Sequence, residues 1–289
     1  MAKPEDNENY SKVKTPQALM SEVDCKQTSQ TEIDQMSALV ERYQNLDPVR
    51  VVELGDKVIK YCTPNLMTLD RVWNLFHAEP VTIQWILNFG KNEILFDIGA
   101  NVGTYTIFAS IMKQARVFAF EPESQNFGLL TKNILYNNLS KRIKAWPVAI
   151  SDEQKFSFLN LWGFRAGNSH HFFDESLNFK LEQETFPYAQ GAVSTTIDDL
   201  VEAKIIPIPD HIKIDVDGIE DKVVNGAWNT LSHQDVQSIL IELNTNLEQH
   251  RLIPPKLEKI GFSYDLEQVQ ESMRTDPRHA GISEHVFRR

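Results

Sequence analysis

Apolar positions follow different rhythms along the chain. Residues 1–30 carry mostly Lys, Glu, Asp, Gln, Ser and Thr with little periodicity, and read as a mobile or loosely docked tail. From Thr31, Ile33, Met36, Leu39, Val40 and Tyr43 recur at helical spacing, which predicts one amphipathic helix ending before Pro48. Two β-type runs at 49–52 and 57–61 flank Leu54-Gly55-Asp56, a hairpin signature. Glu79-Pro80 then opens a mixed apolar stretch, 81–89, closer to a helix, with Pro80 suited to its first turn.

Beyond residue 93 the rhythm alternates. Apolar runs at 94–98, 116–120, 143–150, 156–161, 211–216 and 238–243 predict strands. Helical patterns at 102–112, 124–138 and 220–231 lie between them, a short helix starts at Pro254-Pro255, and strand-like pieces at 262–264 and 285–287 follow. Short apolar strands alternating with helices predict an α/β fold with a doubly wound, mostly parallel sheet covered on both faces. The expected organisation is a polar tail with a helix (1–45), an extension packing on the core (46–92), and one α/β domain (93–289).

Composition narrows the function. The chain has 289 residues, 42% hydrophobic and 24% charged, which suits a globular protein. A net charge of −11 disfavours broad binding to nucleic acid or an anionic membrane surface. No run approaches the roughly 18 apolar residues of a membrane span. Cys25 and Cys62 form neither a metal-ligand spacing nor a disulfide framework, and the first residues lack a signal-like basic start and apolar run. A cytoplasmic protein is the expectation.

The informative segment is Asp97-Ile98-Gly99-Ala100-Asn101-Val102-Gly103-Thr104, which leaves a predicted strand and enters a helix. In doubly wound sheets ligands sit at the carboxyl ends of strands near the switch point. The spacing Gly-x-x-x-Gly is not the three-glycine dinucleotide fingerprint, and Asp97 before the first glycine would repel a pyrophosphate. No Gly-Lys-Ser/Thr phosphate loop occurs. The next strand ends in Glu121-Pro122, and an acid at that tip can hold ribose hydroxyls.

Together with Val148–Asp152, Ser194–Leu200, Ile212–Glu220 and Ile239–Leu243, taken in order, these motifs resemble the class I methyltransferases that use S-adenosylmethionine, and more narrowly the FkbM family. The resemblance covers about residues 79–262. It implies a Rossmann-like, seven-strand-type sheet and methyl transfer, usually to a hydroxyl of a sugar or secondary metabolite. Some relatives methylate amide nitrogens, so a peptide acceptor is the alternative. It implies that Asp97, Gly99, Ala100, Asn101, Gly103 and Thr104 surround the methionine part of the cofactor. Glu121 with Pro122 would hold the ribose, Ala149, Ser151 and Asp152 would border the adenine, and Asp215 would face the transfer centre. The acceptor would be a small molecule, a glycan or a peptide. Rivals of another class are an NAD-dependent dehydrogenase and a non-catalytic cofactor-binding module.

On a strand, Asp215 and Asp217 project the same way, with Lys213 before them. They are candidate general bases. With Glu220 they could instead hold a divalent cation through oxygen ligands, although no metal is expected, and Glu220 more simply charges a helix N-terminus. His170 and His171 lie in a polar connection, and a neutral imidazole there could take a proton from an acceptor hydroxyl; His170 is the candidate. His77, His233, His250 and His279 have no companion motif and read as structural or solvated, and Trp162 is a candidate wall for a sugar ring.

Overall fold

The computed structural model describes residues 29–289 and divides the chain into two units, one reaching Asp47 and one from Pro48 to Arg289. The tail expectation for residues 1–28, and Cys25 with it, falls outside the described residues. In the first unit, the helix Gln30–Gln44 begins with a reciprocal cap: Ser29 Oγ accepts from the Glu32 backbone N–H, and the Ser29 N–H donates to Glu32 Oε2. Its apolar residues Ile33, Met36, Leu39, Val40 and Tyr43 are exposed.

The second unit opens with a hairpin of β1 (Val49–Leu54) and β2 (Lys57–Cys62), closed by the two-residue loop Gly55-Asp56. The next strands are β3 (Ile94–Ile98), β4 (Arg116–Phe120), β5 (Ile143–Trp146), β6 (Ala149–Ile150), β7 (Lys155–Leu161), β8 (Phe172–Phe173) and β9 (Tyr188–Thr195). The chain finishes with β10 (His211–Ile214), β11 (Ser238–Asn244), β12 (Ser263–Tyr264) and β13 (Ile282–Arg288).

The main sheet has seven strands in the order β12-β13-β11-β10-β3-β4-β5. Strands β11, β10, β3, β4 and β5 run parallel, while β13 is antiparallel to both β11 and β12. The central strands bury both faces: all four residues of β10 and four of five in β3 and β4 are buried. That is why their sequences read as continuous apolar runs. One face packs Leu95, Ile107, Leu130 and Leu240 with the hairpin residues Ile59 and Tyr61, and the other packs Phe96, Ile212, Val223 and Ile239. The order reverses between β3 and β10, so the switch point lies between their carboxyl ends.

The structure departs from the sequence expectation in several places, including the unanticipated helices Leu66–Trp73, Ile197–Glu202 and Leu266–Glu271. The run 143–150 is two strands: Pro147, which lacks a donor N–H, interrupts it, so β5 stays in the main sheet while β6 joins a second. That second, four-stranded sheet, β6-β9-β7-β8, includes β9, which was not anticipated. The run 220–231 breaks at Ala227 into the helices Glu220–Gly226 and Trp228–Leu231.

Candidate active site

The turn after β3 is built around two glycines with positive φ. Gly99 has φ +84°, and a Cβ there would sit 1.8 Å from the Asp215 carbonyl oxygen. Gly103 has φ +81° at the start of the helix Thr104–Met112, and a Cβ there would meet Leu130 Cδ1 at 2.3 Å. Both therefore serve chain-on-chain approach in a left-handed turn. Between them the Gly99 and Ala100 N–H groups donate to the Phe120 carbonyl at 3.0 and 3.1 Å, fastening the turn to the tip of β4.

Glu121 follows that tip and is 5% exposed. Its Oε2 accepts from the Asn101 N–H and its Oε1 from the Glu123 N–H, both at 2.8 Å. Burial pushes its carboxyl up to about 7, against the pull of these two donors. Asn101 and Asn126 each donate a side-chain N–H to the Asn168 carbonyl, at 2.8 and 3.0 Å, and tie the segment after β7 over the turn.

Under this segment lies a cleft whose empty space, counted out to open solvent, is about 580 Å³. Gly99, Asn101, Glu121 and Pro122 form one side, and Phe120, Val148, Ala149, Ile150, Leu159 and Phe173 give an apolar wall. His171 also faces it. A second cleft, of about 870 Å³, is polar and is lined by Arg71, Glu79, His170, Glu242, Arg274 and His279 among others. The two share Gly99, Asn101, Ser169, Asp215 and Asp217.

Electrostatics concentrate at this junction. The Lys213 ammonium, almost fully buried, lies 2.6 Å from Asp215 Oδ2. Asp215, Glu79 and Asp97 together hold Lys213 far above the usual lysine range despite its burial. Asp97 itself is 1% exposed, accepts from the Thr106 hydroxyl, and is pushed up by burial. Asp217 has φ +63°, so strand alternation does not set its direction. It instead accepts from the His170 N–H at 2.7 Å, and its Oδ1 lies 3.1 Å from His170 Nδ1. The Asp217 carboxylate beside the ring raises the His170 pKa. The charged form of His170 is thereby favoured more than in a free imidazole, while its neutral form is the one that can accept a proton. Its ring stacks near His279, and both rings contact Phe179.

Glu220 does occupy the first turn of its helix, but its carboxyl folds back to accept from the Val216 and Gly218 N–H groups. Burial pushes it up to about 8, and His250 Nε2 lies 3.1 Å away. Among the described residues no group of three or more His, Cys, Asp or Glu side chains is arranged to hold a metal ion.

Of the sequence-derived residues, Gly99, Asn101, Glu121, Pro122, Ala149, Asp215 and Asp217 line the first cleft, and His170 lines the second. Asp97, Ala100, Gly103, Thr104, Ser151 and Asp152 line neither: Ser151 Oγ donates to Asp152, which is exposed, and the Thr104 carbonyl accepts from Tyr61. Trp162 lies outside both clefts, whereas His279 is in the second. Sequence reasoning missed Phe173, Leu159 and Asn126, which reach the cleft from elements whose placement is non-local. Arg274 is another: it lies in the connection before β13 and pairs with Glu242 of β11, 32 residues earlier in the chain.

Sheet order, the reversed β13 and a cleft at the β3–β10 switch point define a class I methyltransferase fold. The methyltransferase FkbM domain matches residues 97–264, more than half of the chain, and the chain belongs to that family. It is 25% identical over 189 residues to a hexuronic acid methyltransferase, AglP, of Haloferax volcanii, covering 63% of this chain and 70% of that one. It is also 25% identical over 198 residues to the methyltransferase sdnD of Sordaria araneosa, covering 57% and 76% respectively. A solved FkbM methyltransferase from Methylobacillus flagellatus KT aligns with TM-score 0.45 and 17% identity, over 70% of this chain and 44% of its own.

Proposed function

We propose that the protein transfers a methyl group from S-adenosylmethionine to a hydroxyl oxygen of a sugar-like acceptor. The observation that carries this reading is the pair of clefts meeting at Gly99, Asn101, Ser169, Asp215 and Asp217. The first cleft fits an adenosyl group: it offers an apolar wall and a buried carboxylate. The Glu121 oxygens each accept from one backbone N–H, and the carboxyl faces the cleft where a ribose hydroxyl would reach it. When bound, the cofactor supplies a methyl on sulfonium, already activated by its leaving group. The chain's task is then proximity, in-line orientation and proton acceptance.

In this reading Gly99 and Asn101 border the methionine part. Asp97, Ala100, Gly103 and Thr104 shape that turn from behind. Pro122 and Ala149 flank the nucleoside, with Ser151 and Asp152 supporting the adenine edge. The acceptor enters the second cleft, whose carboxylates, arginines and stacked rings suit a polyhydroxylated ring better than an apolar one. The hexuronic acid named for the Haloferax relative supports a sugar over a peptide acceptor. Proton acceptance falls to Asp215, or to His170 oriented by Asp217.

Titration calorimetry with S-adenosylhomocysteine tests the cofactor. Binding in the micromolar range or tighter is expected, about −8 kcal/mol. Binding of NAD with no response to S-adenosylhomocysteine overturns the reading. Methyl transfer from labelled S-adenosylmethionine to hexose, hexuronate and peptide acceptors tests the second cleft, with turnover expected on the sugars.

A further inference from the structure

His170 and His171 are neighbours in the chain but face different clefts. His170 lines the polar cleft and is held by Asp217. His171 lines the apolar one, beside Glu121, Asn126 and Phe173. Both His171 ring nitrogens are shielded from solvent, and neither has a hydrogen-bond partner among the described residues. Buried polar groups in folded proteins are nearly always paired, because an unmade hydrogen bond leaves the desolvation cost uncompensated. The arrangement is thus that of a side chain whose partner arrives with a ligand.

The ring cannot easily turn away to find another partner. On one side the His170 N–H is anchored to Asp217. On the other, Phe172 and Phe173 pair with Asn160 and Leu159 in β8 and β7. Alternation along this extended piece puts His171 and Phe173 on the cleft side and buries Phe172 against Gly218. Earlier in the segment, the Asn168 carbonyl is held by Asn101 and Asn126. Burial also lowers the His171 pKa, so near neutral pH the ring offers one donor and one acceptor.

We propose that His171 is a cofactor-binding residue that hydrogen-bonds the nucleoside part of the cofactor and so couples the segment around residues 163–173 to cofactor binding. This rests on reading the first cleft as the adenosyl site. The adjacent histidines thereby divide the two halves of the reaction, His171 on the donor and His170 on the acceptor.

The test is calorimetric binding of S-adenosylhomocysteine and of adenosine to wild type, His171→Phe and His171→Gln, with thermal melting of each ligand-free protein. His171→Phe keeps a flat ring and removes both nitrogens. It should weaken both ligands about tenfold or more, as expected for the loss of one buried hydrogen bond. Its ligand-free melting temperature should not fall. His171→Gln retains a donor and an acceptor and should bind more tightly than His171→Phe. Wild-type affinity for both ligands in His171→Phe, with wild-type binding intact, overturns this assignment alone. Absence of S-adenosylhomocysteine and adenosine binding in the wild-type protein overturns the adenosyl-site reading itself, and this assignment falls with it.

Discussion

Glu121 allows the cofactor reading to be tested through a proton. Its carboxyl is held at about 7 by burial, whereas ribose hydroxyls donate only to an available acceptor and favour the ionised form. Cofactor binding should therefore pull a proton off Glu121. Below pH 7 the affinity for S-adenosylhomocysteine should fall by up to about tenfold per pH unit, and above pH 8 it should level off. Calorimetry in two buffers of different ionisation enthalpy should register proton release near pH 7. Glu121→Gln removes the titration and one charge-assisted bond, worth about 1.5–3 kcal/mol of affinity, or roughly 10- to 150-fold. The amide also turns a donor towards one of the two backbone N–H groups that Glu121 now accepts from. Ligand-free stability should thus drop by about 1–3 kcal/mol, so this residue cannot be treated as a silent ligand contact. Affinity independent of pH between 6 and 8 in wild type, or equal affinity in wild type and Glu121→Gln, would refute the ribose assignment.

Other expectations follow from the same geometry. Glu121 at about 7 and Glu220 and Glu284 at about 8 all lie above their unfolded value of 4.5. The stability they contribute is fully present below pH 4.5 and is lost as pH rises through 7 to 8. Melting of the ligand-free protein should accordingly fall as pH rises from about 6.5 to 8, and a rising melting temperature would contradict this. Asp215→Asn should lower turnover about 10²–10⁴-fold if Asp215 takes the proton. It also strips the partner from the buried Lys213, so a stability loss of about 1–3 kcal/mol is expected in melting experiments. His170→Ala should remove any limb of the pH–rate profile lying above the ordinary histidine value, since Asp217 raises that pKa. Wild-type turnover in both variants would take these groups out of the chemistry. Gly99→Ala places a Cβ against the Asp215 carbonyl at positive φ, and should abolish cofactor binding with a loss of several kcal/mol, roughly 3–5, in denaturant unfolding.

The parallel strands were legible because each is buried on both faces, which forces an apolar run that no local interaction can disguise. The turn from Asp97 to Gly103 was legible for a related reason: a left-handed turn between strand and helix admits almost only glycine, so its spacing is written into the chain. β9 was not legible, since Tyr188–Thr195 is rich in small and polar residues and becomes a strand only by pairing with β7. The sequence likewise named Asp97 and Glu121 together as cofactor ligands, but burial and partners are tertiary properties. Asp97 turned out to be sealed behind the wall against Thr106 and Lys213, while Glu121 faces the cleft with both oxygens already accepting from backbone N–H groups. Adjacent histidines look equivalent in a sequence. Their separation into two clefts was decided by the long-range pairing of β8 with β7 and by Asp217 at a backbone angle that no strand pattern anticipates.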